Sequence, residues 1–212
     1  AEICLLHVYM EPVPAVEGGS AAMMLADEVR NENQAAITVE KQFLQAGTDL
    51  PVSHRLVTGS RGDAIRNVAE SWNADMIVMG RRITREKQMF GSTILKMIRK
   101  TNTPQLIVPA HVTYAPVKRI VLAVDFEEMV FQPLLNPLFQ LVKIFDADVS
   151  VLHVEKPEDS MTSTEVGSKL QVGPILARAS YHYEKLENEN ITQGILAYVY
   201  KHPADMLVMI AH

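Results

Sequence analysis

Several features of secreted and membrane proteins are absent from this sequence. It contains a single cysteine, Cys4, so the chain cannot form an internal disulfide. Its longest apolar runs, such as residues 120–124 and 206–211, are far shorter than the roughly 18 residues that a membrane helix needs. No basic segment followed by an apolar run opens the chain, so we expect no signal peptide. Together these absences predict a cytoplasmic protein with no membrane partner.

Positive charge and aromatic residues are also scarce. The net charge is −5 at pH 7 and aromatic residues make up 6% of the chain, so charge gives no reason to expect a nucleic-acid partner. The sequence has no paired C-x-x-C, no H-x-x-x-H, no G-x-S-x-G and no Walker loop. We therefore predict no metal site and no enzymatic activity.

What the chain does contain is an internal repeat. Residues 1–8, AEICLLHV, match residues 147–154, ADVSVLHV, at an offset of 146 (153 minus 7). Residues 74–79, ADMIVM, recur as 204–209, ADMLVM, at an offset of 130 (204 minus 74). A repeat of this length predicts two modules, residues 1–110 and 117–212, joined by a linker. We expect the first strand and helix of the first module, and the last helix and strand of the second, to lie outside the 212 residues.

Short apolar runs alternate with amphipathic stretches, a pattern typical of parallel α/β proteins. The nearly continuous runs at 5–8 and 76–79 predict strands buried on both faces, and the methionines of the repeat are expected to fill the core. Other predicted strands are 51–58, 105–108, 120–124, 148–154 and 181–187. Predicted helices are 20–46, 92–100, 137–145 and 160–179. The first helix should end at Gly47 and turn inward a broad face of Leu25, Val29, Ala36, Ile37, Phe43 and Leu44.

The loop after the strand 76–79 is a candidate anion site. Gly80 opens it, Gly91 closes it and Ser92-Thr93 begin a helix, while the loop also carries Arg81, Arg82, Arg85 and Lys87. Ligands of parallel sheets bind at the carboxyl ends of strands, and a helix amino terminus favours an anion. The same residues also fit a solvated basic loop in which Ser92 caps the helix, and from this stretch alone the simpler interpretation is favoured.

Taken together, these strands resemble a known family. The shared features are the Leu-His-Val strands ending at Val8 and Val154, the strand ending at Val124 and followed by Asp125, the twin Ala-Asp-Met strands, Gly80, Gly91-Ser92 and the strand 105–109. In this combination the chain resembles a tandem universal stress protein. The resemblance implies an α/β fold of two Rossmann-like, adenine nucleotide alpha hydrolase-like parallel-sheet sandwiches.

The resemblance also implies an ATP site. The residues that match it are Val8, Gly80, Gly91, Ser92, Thr93, Val124 and Asp125. The chain departs from the family's Gly-x-x-Gly, nine residues, Gly-(Ser/Thr) signature, because Ile83 replaces the middle glycine and Gly91 follows Gly80 by only 11 positions (91 minus 80). A β-branched residue does not readily adopt a positive φ. Glu127 stands where the family usually has a small polar residue.

Three functions follow as hypotheses. The first is ligand binding and regulation in the stress response, with ATP as the ligand. The second is a non-nucleotide interaction module, in which sheet edges such as strand 105–108 pair modules within the chain and form a homo-oligomer. The third, less favoured, is a nucleotide hydrolase or transferase that uses Asp125. We interpret His7 and His153 as structural histidines rather than metal ligands.

Overall fold

The computed structural model describes residues 1–11, 19–81, 94, 97–98, 100–124, 132–157 and 180–210. The chain divides into two compact units, Ala1–Val112 (unit 1) and Thr113–His212 (unit 2). Among the residues described, no helix combines the length and apolar character needed to cross a membrane.

Unit 1 has two parallel pairs of strands. Its elements are β1 (Ile3–Tyr9), α1 (Gly19–Ala46), β2 (Val52–Thr58), α2 (Arg61–Ser71), β3 (Ile77–Arg81) and β4 (Gln105–Pro109). β1 pairs with β2, and β3 pairs with β4. Helix α1 ends directly before Gly47, whose N–H donates to the Leu44 carbonyl at 3.0 Å. The predicted end of this helix is therefore confirmed.

Unit 2 contains one four-stranded parallel sheet. Its elements are β5 (Arg119–Val124), α3 (Gln132–Phe145), β6 (Asp148–Glu155), β7 (Tyr181–Glu187), α4 (Ile191–Lys201) and β8 (Met206–Met209). The strand order is β7-β6-β5-β8. The first strand of the unit thus lies between the second and the fourth, which confirms the predicted Rossmann-like parallel sheet. The predicted helix 160–179 lies outside the described residues.

Both faces of the unit 2 sheet are covered by apolar residues. On one face, Leu122 and Val149 pack against Leu135 and Leu138 of α3. On the other face, Leu152 packs in a cluster with Tyr198 of α4 and other apolar residues. β5 is buried from Ile120 to Val124, as its continuous apolar run predicts. Helix α3 begins at Gln132, five residues before its predicted start, and has Pro137 inside it.

The prediction that the apolar runs of unit 1 are buried on both faces is wrong. Ile77 is buried in a cluster with Ala69 and Met97, but the next residue, Val78, is 63% exposed. Its repeat counterpart Val208 (78 plus 130) packs against the cluster formed by α3. The described part of unit 1 places no comparable cover over Val78. In β1 the side chains are mostly half-buried, and that of His7 is exposed.

The broad inward face predicted for α1 is also wrong in part. Leu25, Ala36 and Phe43 are exposed, with Phe43 at 77%. Only Ile37 among the predicted residues is buried, and Asn33 beside it is half-buried. Positions four apart follow one line along a helix, and α1 contacts mainly the two strands β1 and β2. Because these two strands offer only a narrow contact surface, they bury only a narrow stripe of the side chains of α1. Met209, expected in the core, is 53% exposed.

The strand registers show which positions of the two units correspond. Ile3 pairs with Val52 in unit 1, and Val149 (3 plus 146) pairs with Tyr181 in unit 2. Side chains directly opposite each other point to the same face of a sheet. The matching positions at the carboxyl ends of these strands are therefore His7 with His153, Tyr9 with Glu155, His54 with Tyr183, and Leu56 with Lys185.

Candidate functional site

Of the seven residues predicted to hold a nucleotide, the structure describes three. Val8 lies in β1 and Gly80 in β3 of unit 1, on strands that are not paired with each other, and Val124 ends β5 of unit 2. The other four, Gly91, Ser92, Thr93 and Asp125, lie outside the described residues, as do Ile83 and Glu127. The predicted site therefore remains a prediction.

The end of β5 is fixed by a side chain of β6. Val124 is buried, and its carbonyl lies 3.2 Å from Nδ1 of His153, which is also buried. Because a carbonyl only accepts, Nδ1 carries the proton and donates it. This bond holds the backbone one residue before Asp125. The contact gives His153 a structural role at the end of β5.

Gly80 leaves open space beside the end of β3. It pairs with Val108 of β4, and among the described residues a Cβ built on it would meet no atom within 4 Å. Its φ lies outside the positive region, so its own backbone conformation does not require glycine either. Space of this kind beside a strand end lets a ligand approach the backbone closely.

A buried charged cluster lies on the same face of unit 2 as Leu122. Glu155 ends β6 with its side chain 3% exposed, and Lys185 Nζ lies 2.6 Å from Glu155 Oε1. His153 Nε2 is 3.6 Å from Glu155 Oε2. Burial and the negative charge of Glu155 raise the pKa of the neighbouring Tyr183 to about 12. The sequence contains one signal for this cluster that was missed. His153 and Glu155 are polar residues two positions apart at the end of an apolar strand.

At the matching place in unit 1 the structure has an open crevice. Its volume is about 360 Å³, and it is lined by Tyr9, Glu11, Arg30, Gln34, His54, Leu56 and Thr58. Tyr9 is 8% exposed, and its hydroxyl donates to Glu11 Oε1 at 3.3 Å. Burial, and then the charge of Glu11, raise the pKa of Tyr9, while the charge of Arg30 acts in the opposite direction. No motif in the sequence marks these residues as a group.

Two amide side chains of α1 reach the histidines beside this crevice. His7 Nε2 lies 2.7 Å from Asn33 Oδ1, and the Gln34 amide lies 2.9 Å from His54 Nε2. His7 thus forms a structural contact, as predicted. In the part of the chain that is described, no three His, Cys, Asp or Glu side chains are grouped as a metal site would require.

The parallel sheets, their strand order and the helices on both faces define an α/β protein of the Rossmann-like class. Within that class, residues 1–109 match the model of the universal stress protein family. The chain belongs to the universal stress protein family. No curated protein sequence matches it.

Solved structures agree on the fold. A universal stress protein from Archaeoglobus fulgidus DSM 4304 aligns with a TM-score of 0.75 and 17% identity, over 98% of this chain and 76% of that one. A functionally unknown protein from Pseudomonas aeruginosa PAO1 aligns with a TM-score of 0.60 and 14% identity, over 99% of this chain and 82% of that one. At these identities the likeness concerns the fold alone.

Proposed function

We propose that this protein acts in the stress response by binding a small ligand that changes its conformation or its partners, and that ATP is this ligand. The observation that supports the proposal is the position of Val124. It ends β5, whose neighbours are β6 on one side and β8 on the other. With neighbours on both sides, β5 lies where the strand order of the sheet reverses. Ligands of open parallel sheets bind at the carboxyl end of the strands at this point of reversal.

Asp125 is the residue expected to reach the ligand in unit 2. It follows Val124, whose backbone is held by the hydrogen bond from His153. In unit 1, no atom of the described residues would lie within 4 Å of a Cβ at Gly80, and Gly80, Gly91, Ser92 and Thr93 are the residues proposed to bind phosphate. The family model covers residues 1–109. We also propose that residues 117–212 form a second module of the same family, because ADVSVLHV and ADMLVM in this segment repeat AEICLLHV and ADMIVM of the first.

Calorimetric titration of the 212-residue chain with magnesium and ATP tests the ligand. We expect heat of binding at ATP concentrations of about 1 mM or below, and weaker binding by Asp125→Ala. The matched control is Asp148→Ala, because Asp148 begins β6 at the opposite end of the sheet. Absence of heat would remove ATP from the proposal, and equal affinity of the two variants would remove Asp125 from the site.

We further propose that the protein is cytoplasmic and acts by binding rather than by catalysis. Steady-state ATP hydrolysis above the buffer rate, abolished by Asp125→Ala, would contradict the proposal that the protein acts by binding. It would favour the hydrolase hypothesis. The Asp148→Ala variant again serves as the control for general damage to unit 2.

One observation favours an interaction module as the second candidate. Within the described residues β4 pairs only with β3, so its other edge has no strand partner there. Its sequence, QLIVP, is apolar, and an apolar edge strand tends to pair with another chain. Stable homodimers on a sizing column, purified without nucleotide, would support this candidate. Copurified nucleotide would contradict it.

A further inference from the structure

The unit 1 crevice carries two opposite charges near the hydroxyl of Tyr9. Glu11 follows β1 and accepts a hydrogen bond from Tyr9, while Arg30 extends from α1. Both charges are near enough to Tyr9 to act on its pKa, in opposite directions. Across the described part of the chain, neither Glu11 nor Arg30 forms an ion pair with another side chain.

At two of the positions that line the crevice in unit 1, unit 2 has a charged pair instead. There Glu155 replaces Tyr9 and Lys185 replaces Leu56, and the two charges meet at 2.6 Å with the carboxylate buried. In unit 1 the corresponding residues leave a crevice of about 360 Å³ instead. The charges of this crevice are Glu11 and Arg30, at other positions, and no described side chain forms an ion pair with either of them.

We propose that this crevice binds a free α-amino acid. The carboxylate of such a ligand would pair with the Arg30 guanidinium, which matches a carboxylate with two parallel hydrogen bonds. Its ammonium group would pair with Glu11. The lining of the crevice is mainly polar, so the rest of the ligand would meet polar groups such as those of Gln34, His54 and Thr58.

Size and charge agree with this class of ligand. The crevice is at the lower end of the range of about 300–1,000 Å³ for small-molecule sites. A nucleoside triphosphate is larger and carries several negative charges, which Glu11 would repel. The crevice is therefore unsuited to ATP, and the amino-acid proposal does not depend on the ATP proposal.

Calorimetric titration with the free L-amino acids, each at up to about 10 mM, tests the proposal on the 212-residue chain. We expect at least one of them to bind. For that amino acid, the N-acetyl derivative removes the ammonium charge and the amide derivative removes the carboxylate. Each derivative should bind about tenfold more weakly, a difference of about 1.4 kcal/mol.

Two variants test which charge of the protein pairs with which charge of the ligand. Arg30→Met should bind the acid and its amide equally, because the guanidinium no longer distinguishes them. Glu11→Gln should bind the free amine and its N-acetyl derivative equally. Arg55→Met is the control, since Arg55 lies in β2 and pairs with Leu6, on the other face of the two strands. It should keep both preferences.

Three results would overturn the proposal. One is the absence of heat with every amino acid at about 10 mM. Another is binding by Arg30→Met and Glu11→Gln with unchanged preferences, in variants whose thermal unfolding shows that they are folded. The third is competitive loss of amino-acid binding on addition of ATP, which would place both ligands in one site.

Discussion

Lys185 Nζ lies 2.6 Å from Glu155 Oε1, across two neighbouring parallel strands of unit 2. The strand register pairs Lys185 with His153, so it reaches Glu155 diagonally on the same face of the sheet. The Glu155 side chain is 3% exposed and that of Lys185 is 26% exposed. A buried carboxylate is thus held by a cation that still touches solvent.

Removal of that cation should destabilise unit 2. Breaking a buried ion pair costs about 3–5 kcal/mol, and the partial exposure of Lys185 lowers the expected loss for Lys185→Met to about 2 kcal/mol. Urea unfolding measures it. Lys201→Met, at the exposed end of α4, is the control. The double variant Glu155→Gln/Lys185→Met should be more stable than Lys185→Met, because it no longer carries a buried carboxylate without its cation. Equal stability of Lys185→Met and wild type would contradict the prediction.

Tyr183 should make stability fall at alkaline pH. Burial and the charge of Glu155 raise its pKa from 10.0 to about 12 in the folded protein. Between these pH values the unfolded chain loses the proton while the folded protein keeps it. The contribution of Tyr183 to the free energy of unfolding is therefore complete below pH 10.0 and is lost as pH rises towards 12.

Urea titrations across that pH range measure the effect. Tyr183→Phe should show a smaller loss of stability between pH 10.0 and about 12 than the wild type. Tyr200→Phe is the control, because Tyr200 is 92% exposed. The pKa values of Tyr9 and Tyr198 are also raised by burial, so part of the slope should persist. Identical slopes for Tyr183→Phe and Tyr200→Phe would refute the assignment.

Asp205 joins the beginning of β5 to the beginning of β8. The N–H groups of Lys118 and Arg119 donate to Asp205 Oδ2 at 2.9 and 2.8 Å, and these bonds lower the pKa of the carboxyl group. Because the carboxylate is exposed, we expect Asp205→Ala to cost about 1 kcal/mol, below the range of about 1.5–3 kcal/mol for hydrogen bonds to charged groups. The loss should be present above pH 3.8 and should shrink as pH falls below it.

The repeat supplies the control for this measurement. Asp75 is the counterpart of Asp205 (205 minus 130), and no hydrogen bond joins its side chain to another described residue. Urea unfolding of Asp75→Ala should therefore show a smaller loss than Asp205→Ala. Equal losses would mean that the two backbone hydrogen bonds contribute nothing measurable.

Gly194 marks a close approach between α4 and β6. A Cβ at this position would lie 2.5 Å from Val154 Cγ1, whereas the repeat counterpart in unit 1 is Ala64. Alanine favours a helix by about 1 kcal/mol over glycine, but overpacking costs about 1–3 kcal/mol, so Gly194→Ala should lower stability by about 1 kcal/mol. Thermal unfolding tests this. In a Val154→Ala background the loss should be smaller, because only the contact with Asn188 Cβ at 3.1 Å remains, and an unchanged loss would contradict the steric explanation.

Element types and strand direction could be predicted from residue patterns alone. The apolar run 120–124 predicts a buried parallel strand, and β5 is one. The offset of 146 residues between the Leu-His-Val strands predicts equivalent positions, and the registers of β1 with β2 and of β6 with β7 agree with it. Patterns of this kind are local, since side-chain direction alternates along any strand.

The partner of each side chain could not be predicted in the same way. Val78 and Val208 stand in nearly identical hexapeptides, yet Val78 is 63% exposed and Val208 packs against the cluster below α3. Nothing in the order of residues indicates that Lys185 reaches Glu155, or that Arg30 lies beside Tyr9. Such contacts join residues far apart in the chain, so they depend on which strands and helices meet. Local patterning decided the elements of this protein, and tertiary packing decided which charges are satisfied within it and which face an open crevice.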